Sequence, residues 1–172
     1  MLALALSGCV AASGPDVRAT VVPSSASDAP STEPSTEPST ASPDDTLIDC
    51  GTTADVRLNQ PGREFTLTGT CDSVTVEGQD IEVDAADIGT LVIRGDRNSV
   101  DALSITLATV NGTDNSVDAA TLDAAEISGE RNEIDVDGLL GSLTISGNEN
   151  EVEANEITDQ SVSGDRNEVT VD

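Results

Sequence analysis

Apolar residues return along the chain in a fixed rhythm from about Gly62 to Asp172. Counting a recurring glycine as position one, position six reads Leu67, Val83, Val100, Val117, Ile134, Val152 and Val169. Position eight reads Ala85, Ala102, Ala119, Val136, Ala154 and Val171, and position four begins Phe65, Ile81 before turning to asparagine. Positions four, six and eight alternate with polar residues, so they line one face of a strand. A second apolar set follows at position eleven, Ile88, Ile105, Leu122, Leu139 and Ile157, and at position sixteen, Ile93, Val110, Ile127, Ile145 and Val162. Two short strands per unit are therefore expected around a narrow aliphatic core.

The glycines that open the clearest units, Gly95, Gly112, Gly129, Gly147 and Gly164, are spaced by 17, 17, 18 and 17 residues. A period this short, with a strand pattern inside it, predicts one coil of a β-solenoid per repeat. The fold expected is all-β, a single-domain, parallel β-helix-like solenoid of about seven coils of ~17 residues over 46–172. At ~4.8 Å per coil the rod is roughly 34 Å long. The extra residue of the longer unit is expected around Gly138 to Ser142, between the two apolar sets. Residues 46–61, with Leu47, Ile48, Val56 and Leu58, supply a partial first coil that ends at Pro61.

The rhythm is absent before Thr46. Residues 10–45 hold a Ser/Thr/Pro-rich stretch with a literal STEP-STEP-ST repeat, which cannot bury enough apolar surface to fold and is expected to be a disordered tether. Such stalks carry O-linked sugars in some exported proteins and stand bare in others. Residues 1–9 form a short apolar run ending in Leu6-Ser7-Gly8-Cys9. This resembles the lipobox of bacterial lipoproteins, in which the cysteine is acylated and becomes the mature N-terminus. The run carries no Lys or Arg, unlike a complete signal peptide, so the translation start is expected to lie upstream. The expected location is the outer face of the cell membrane, lipid-anchored at Cys9 and reaching into the wall.

Cysteine usage fits an oxidising compartment. With Cys9 assigned to lipid, Cys50 and Cys71 remain as one pair, and a disulfide between them closes a loop of about 20 residues, worth roughly 3 kcal/mol. The alternative is a pair of buried free thiols.

Charge and composition then narrow the function. Seven basic residues against 33 acidic ones leave a net charge of −26, which repels nucleic acid and excludes it as a partner. One aromatic side chain, Phe65, and no histidine leave little for stacking on sugars or for acid–base work. The chain is not expected to be an enzyme. An enzyme acting on polysaccharide would need paired carboxylates in a walled cleft, and units of ~17 residues without insertions leave no walls. An ice-binding face would need a regular threonine column, which Thr66, Thr68, Thr90, Thr106 and Thr109 do not form.

Three columns carry the candidate chemistry. Position four holds Asn98, Asn115, Asn132, Asn150 and Asn167, resembling the inward asparagine ladders of other β-solenoids, a structural role in preference to a catalytic one. Position three alternates in sign, Asp80, Arg97, Asp114, Arg131, Glu149, Arg166, which favours in-register parallel stacking. Position seven stacks Asp84, Asp101, Asp118, Asp135 and Glu153, and position five adds Glu133, Glu151 and Glu168. Neighbouring charges at ~4.8 Å in water repel by roughly 0.9 kcal/mol per pair. Either they form a solvated face that keeps the sheet soluble, or they bind Ca²⁺ weakly at several sites. No cofactor is expected beyond that weak Ca²⁺, and no confident metal site.

The Cys50…Leu67-Thr68-Gly69-Thr70-Cys71 arrangement, the Val74-Thr75-Val76-Glu77-Gly78 segment and the G-x-x-N-x-V repeats resemble the domain-of-unknown-function 3060 family of actinobacterial, including mycobacterial, exported proteins and lipoproteins. The similarity spans about residues 48–172, with Ile81 standing where asparagine is expected. The resemblance implies an exported, lipid-anchored context and no activity or ligand. The expected function is a non-catalytic, strongly acidic envelope module that binds, displays or spaces. A cation-binding or adhesin-like surface module is the alternative. Its partners would be the membrane through Cys9 and a wall polymer or envelope protein, with the chain a monomer or weak end-to-end dimer.

Overall fold

The computed structural model describes residues 39–40, 46–51 and 54–172, all within one compact unit, Thr36–Asp172. Cys9 and the span 1–38, with 41–45, lie outside the described residues, so the lipobox and most of the tether do too. Ten strands follow in order: β1 (Ser39–Thr40), β2 (Leu47–Asp49), β3 (Asp55–Leu58), β4 (Glu64–Gln79), β5 (Glu82–Asp96), β6 (Ser99–Thr113), β7 (Ser116–Ile127), β8 (Glu133–Ile145), β9 (Glu151–Val162) and β10 (Glu168–Val171). From β3 onward each pairs in parallel with the next in sequence, β2 joins β4, and β1 covers the free edge of β3. A parallel neighbour one repeat away, coil after coil, is a β-solenoid.

Each full coil is one long strand rather than the two short ones expected. The burial pattern shows how it closes. In β6, Val100, Ala102, Ile105, Ala108 and Val110 are buried, so the inward residues are spaced by two, three, three and two. A step of three reverses the alternation and marks a corner, which lets one strand wrap round the core. The set at Val74, Leu91, Ala108, Ala125 and Leu143 is fully buried and was not expected from the sequence. Small Ala108 and Ala125 at these positions hid it, because alanine carries little hydrophobic signal.

Three expected placements are corrected. In the last coil Val162 and Val171, expected inward, are 44% and 55% exposed at the open end of the stack of described coils. Leu139 is 48% exposed and Leu140 takes the buried place, paired with Leu122. Ala119 to Leu122 on β7 faces Val136 to Leu140 on β8, so the extra residue falls at the corner formed by Asp137, Gly138 and Leu139. A corner absorbs an insertion without breaking the ladders on either side. In the first coil, Phe65 pairs with Val83 and Leu67 with Ala85, which moves them to positions six and eight. The cause is Gly69, an additional residue at a corner with φ of 80°. The interior remains aliphatic, with Phe65 its largest member.

The N-terminal partial coil is in place. Val56 and Leu58 are buried, Ile48 packs partly, and Leu47 is exposed. Cys50 and Cys71 are joined, with a Cα–Cα distance of 4.9 Å, tying this coil to β4. Ser39 and Thr40, inside the span read as tether, form β1 against Val56 and Arg57.

Candidate functional site

The turn that closes each coil is built from positions one to four. At position one, a Cβ on Gly112, Gly129 or Gly147 would stand 1.8 Å from the carbonyl oxygen of the glycine one coil earlier. Only glycine permits that approach. At position three, Asp80, Arg97, Asp114, Arg131, Glu149 and Arg166 all have φ between 54° and 58°, the left-handed region that costs an L-residue roughly 1 kcal/mol or more. Gly62, with φ of 67° and its N–H donating to the Gln79 carbonyl, occupies the same place in the first coil. It is therefore a position-three residue, not the position-one glycine that the spacing suggested.

This kink takes the N–H of position four off the backbone ladder. The asparagine of the next coil replaces the missing acceptor. The Asn98 N–H donates to Asn115 Oδ1 at 3.0 Å, that of Asn115 to Asn132 and that of Asn132 to Asn150. Each amide nitrogen donates twice. Asn115 Nδ2 reaches the Gly95 carbonyl at 2.9 Å and Asn132 Oδ1 at 3.0 Å, and Asn132 Nδ2 reaches Gly112 and Asn150. Asn98, Asn115, Asn132 and Asn150 are buried with every amide hydrogen engaged, and Oδ1 accepts two hydrogen bonds in Asn115, Asn132 and Asn150 and one in Asn98, which offsets the cost of burying them. Asn167 continues the ladder at the edge. Ile81 breaks the pattern harmlessly, since its own N–H still finds Asn98 Oδ1.

Outside this turn the position-three charges meet. Arg97 Nε donates to Asp80 at 2.8 Å and Arg131 Nε to Asp114 at 2.7 Å. Arg131 also lies 3.9 Å from Glu149, which pairs with Arg166. The hydrogen bond from Arg97 holds the Asp80 carboxyl below its usual range, and the one from Arg131 does the same to Asp114. A second ion ladder, Arg57–Glu77–Arg94 at 3.0 and 3.3 Å, crosses the adjoining face and left no regular column in the sequence to find it by.

The acidic columns are in register. Asp84, Asp101, Asp118, Asp135 and Glu153 pair in succession, and Glu133, Glu151 and Glu168 stack beside them. Asp118, in the middle, has its carboxyl pushed up by partial desolvation and then by Asp135, Asp101 and Asp137. Glu153 is pushed up first by its hydrogen bond with Asp172. The carboxylates stand side by side without converging, and no group of three or more metal-ligating side chains gathers among the described residues.

The repeat chemistry coincides with a known family model, "Protein of unknown function (DUF3060)", which matches residues 62–104 and 127–172. The chain belongs to this family. No curated protein and no solved structure matches it. The DUF3060 match starts at Gly62, so it covers Cys71 but not Cys50, and it contains every position-four asparagine except Asn115.

Proposed function

We propose that this chain is a cell-envelope protein anchored by lipid at Cys9, whose acidic solenoid is a non-catalytic rod for binding, display or spacing. The observation that carries this reading is the uniformity of the outer surface. Five successive coils carry the position-seven carboxylates Asp84 to Glu153 in register, and the one inserted residue sits at a corner. The non-catalytic reading is supported by two grooves among the described residues that each hold a single acidic group. One of about 480 Å³, lined by Thr46, Gly62, Arg63, Glu64 and Thr66, has a single carboxylate, and one of about 260 Å³ near Thr109 and Thr144 has only Glu126. Glycoside hydrolysis needs two.

The net charge of −26 suits a surface that stays soluble and repels anionic polymers. The Leu6-Ser7-Gly8-Cys9 run supports a location outside the membrane, in reach of a wall polymer or an envelope protein. Expressed in a lipoprotein-processing host, the chain partitions into the membrane fraction and Cys9→Ala releases it. A variant that stays in the membrane ends the anchoring proposal. Pull-down against cell-wall fractions with and without calcium then identifies the partner class.

Weak binding of hard cations is the second reading, favoured by the in-register stack from Asp84 to Glu153 and by the crowding that pushes Asp118 up. Carboxylate oxygens suit Ca²⁺. A melting temperature unmoved by millimolar calcium removes it.

A further inference from the structure

Asparagine is followed directly by glycine once in the chain, at Asn111-Gly112. The pair lies near the end of β6, with Asn111 exposed on the outside of the rod. This dipeptide carries its own chemistry. The Gly112 nitrogen can attack Asn111 Cγ and expel ammonia, leaving a five-membered succinimide ring. Water then opens the ring at either carbonyl, giving aspartate or isoaspartate. Glycine favours the attack because it has no side chain to hinder the ring and tolerates the backbone rotation that closure needs.

The stacked rod withholds that rotation. Ring closure swings the Gly112 nitrogen towards Cγ and takes the Asn111–Gly112 peptide out of the extended strand. Gly112 is fixed from both sides. Behind it, the Gly95 carbonyl oxygen lies 1.8 Å from where a Cβ would stand, and ahead its own carbonyl accepts the Glu130 N–H and Asn132 Nδ2. The Asn111 amide is held as well, since Ser128 Oγ in the next coil donates to Asn111 Oδ1. The ring therefore forms only when β6 separates from its neighbours.

We propose that Asn111-Gly112 is a modification site closed by stacking: it deamidates when the coils open, and its isoaspartyl product prevents them from restacking. The two products act differently on the coil. Aspartate keeps the length of the main chain and lies in register with Arg94, adding a carboxylate to the Arg57–Glu77–Arg94 ion ladder. Isoaspartate routes the main chain through its side chain and inserts a carbon between Asn111 Cα and the Gly112 nitrogen. That displaces Gly112 from Gly95, and Asn115, three residues on, from Asn98 and Asn132. The rod takes its inserted residue at a corner, whereas the glycine contact and the asparagine ladder leave no slack here. A rod that has opened at this coil is marked irreversibly.

Peptide mapping by mass spectrometry tests this on the full chain with its disulfide intact, incubated at mildly alkaline pH either folded or in urea. The folded chain should gain acid at residue 111 at least about tenfold more slowly, because the reaction waits on local opening. Equal rates would refute closure by stacking. The urea sample, returned to buffer and separated into refolded and unfolded chains, should show aspartate at this position among the former and isoaspartate only among the latter. Isoaspartate shared equally between the two fractions would refute the block to restacking. Asn111→Asp separates charge from backbone length. It should refold and melt as the native chain does, and a variant that fails to fold overturns the assignment of the block to the added carbon.

Discussion

At the scale of single residues, the repeat divides its work between a glycine that admits a carbonyl, a residue held at positive φ, and an asparagine that repairs the hydrogen bonding. Asn132→Leu strands the Asn115 N–H and one Asn115 amide hydrogen, while the Gly112 carbonyl keeps the Glu130 N–H. Two orphaned buried groups cost about 2 to 4 kcal/mol, against the 1 to 3 that a single lost partner costs. A urea melt gives the difference. Glycines separate by position. Gly129→Ala drives a Cβ into the Gly112 carbonyl oxygen and should cost about 4 kcal/mol or prevent folding, whereas Gly62→Ala meets nothing within 4 Å and bears only the positive φ, about 1 kcal/mol. Equal losses in the two variants would show that backbone strain, not the close approach, sets the requirement.

At the scale of the strand columns, charge stacking sets the pH response. Asp118 and Glu153 have raised values in the folded chain. Their contribution to stability is complete below the unfolded values and is lost as pH rises through the folded ones. Asp80 and Asp114 have lowered values, so theirs is present above the unfolded value and is lost as pH falls through the folded one. Thermal melts from pH 7 downward should therefore first rise, peak at about pH 4 to 5, and fall below that. Asp118→Asn should flatten the rising limb and lift the melting temperature at pH 7. A midpoint that declines steadily from pH 7 would mean that the acidic column is too well screened to matter.

At the scale of the whole rod, contacts run only between neighbouring coils, so stability is local and the ends matter most. The bond between Cys50 and Cys71, 21 residues apart, holds the first partial coil to β4. Replacing both cysteines by serine should cost roughly 3 kcal/mol, with loss of amide protection concentrated in Leu47–Leu58 and little change beyond β6. Uniform loss along the chain would show that the rod unfolds as one unit. With a net charge of −26, added salt should raise the melting temperature by screening repulsion between coils.

Most of the architecture was legible because stacking identical coils writes each structural duty at the same place every time. The period, the parallel register, the position-four asparagines and the acidic columns could all be read from spacing. The sequence alone determined that a solenoid would form and which asparagines and carboxylates would share a column. Only the tertiary structure decided where the corners fall, and with them the exposure of Leu139, the burial of Leu140 and the places of Phe65 and Gly62. A corner is a change of direction that small residues such as Ala108 or Gly138 permit without announcing it. The positive φ at Arg97 and Arg131 was equally hidden, because nothing in an arginine suggests it. That conformation persists because the next coil's asparagine accepts the hydrogen bond that the kink would otherwise lose, a compensation that exists only once the coils are stacked.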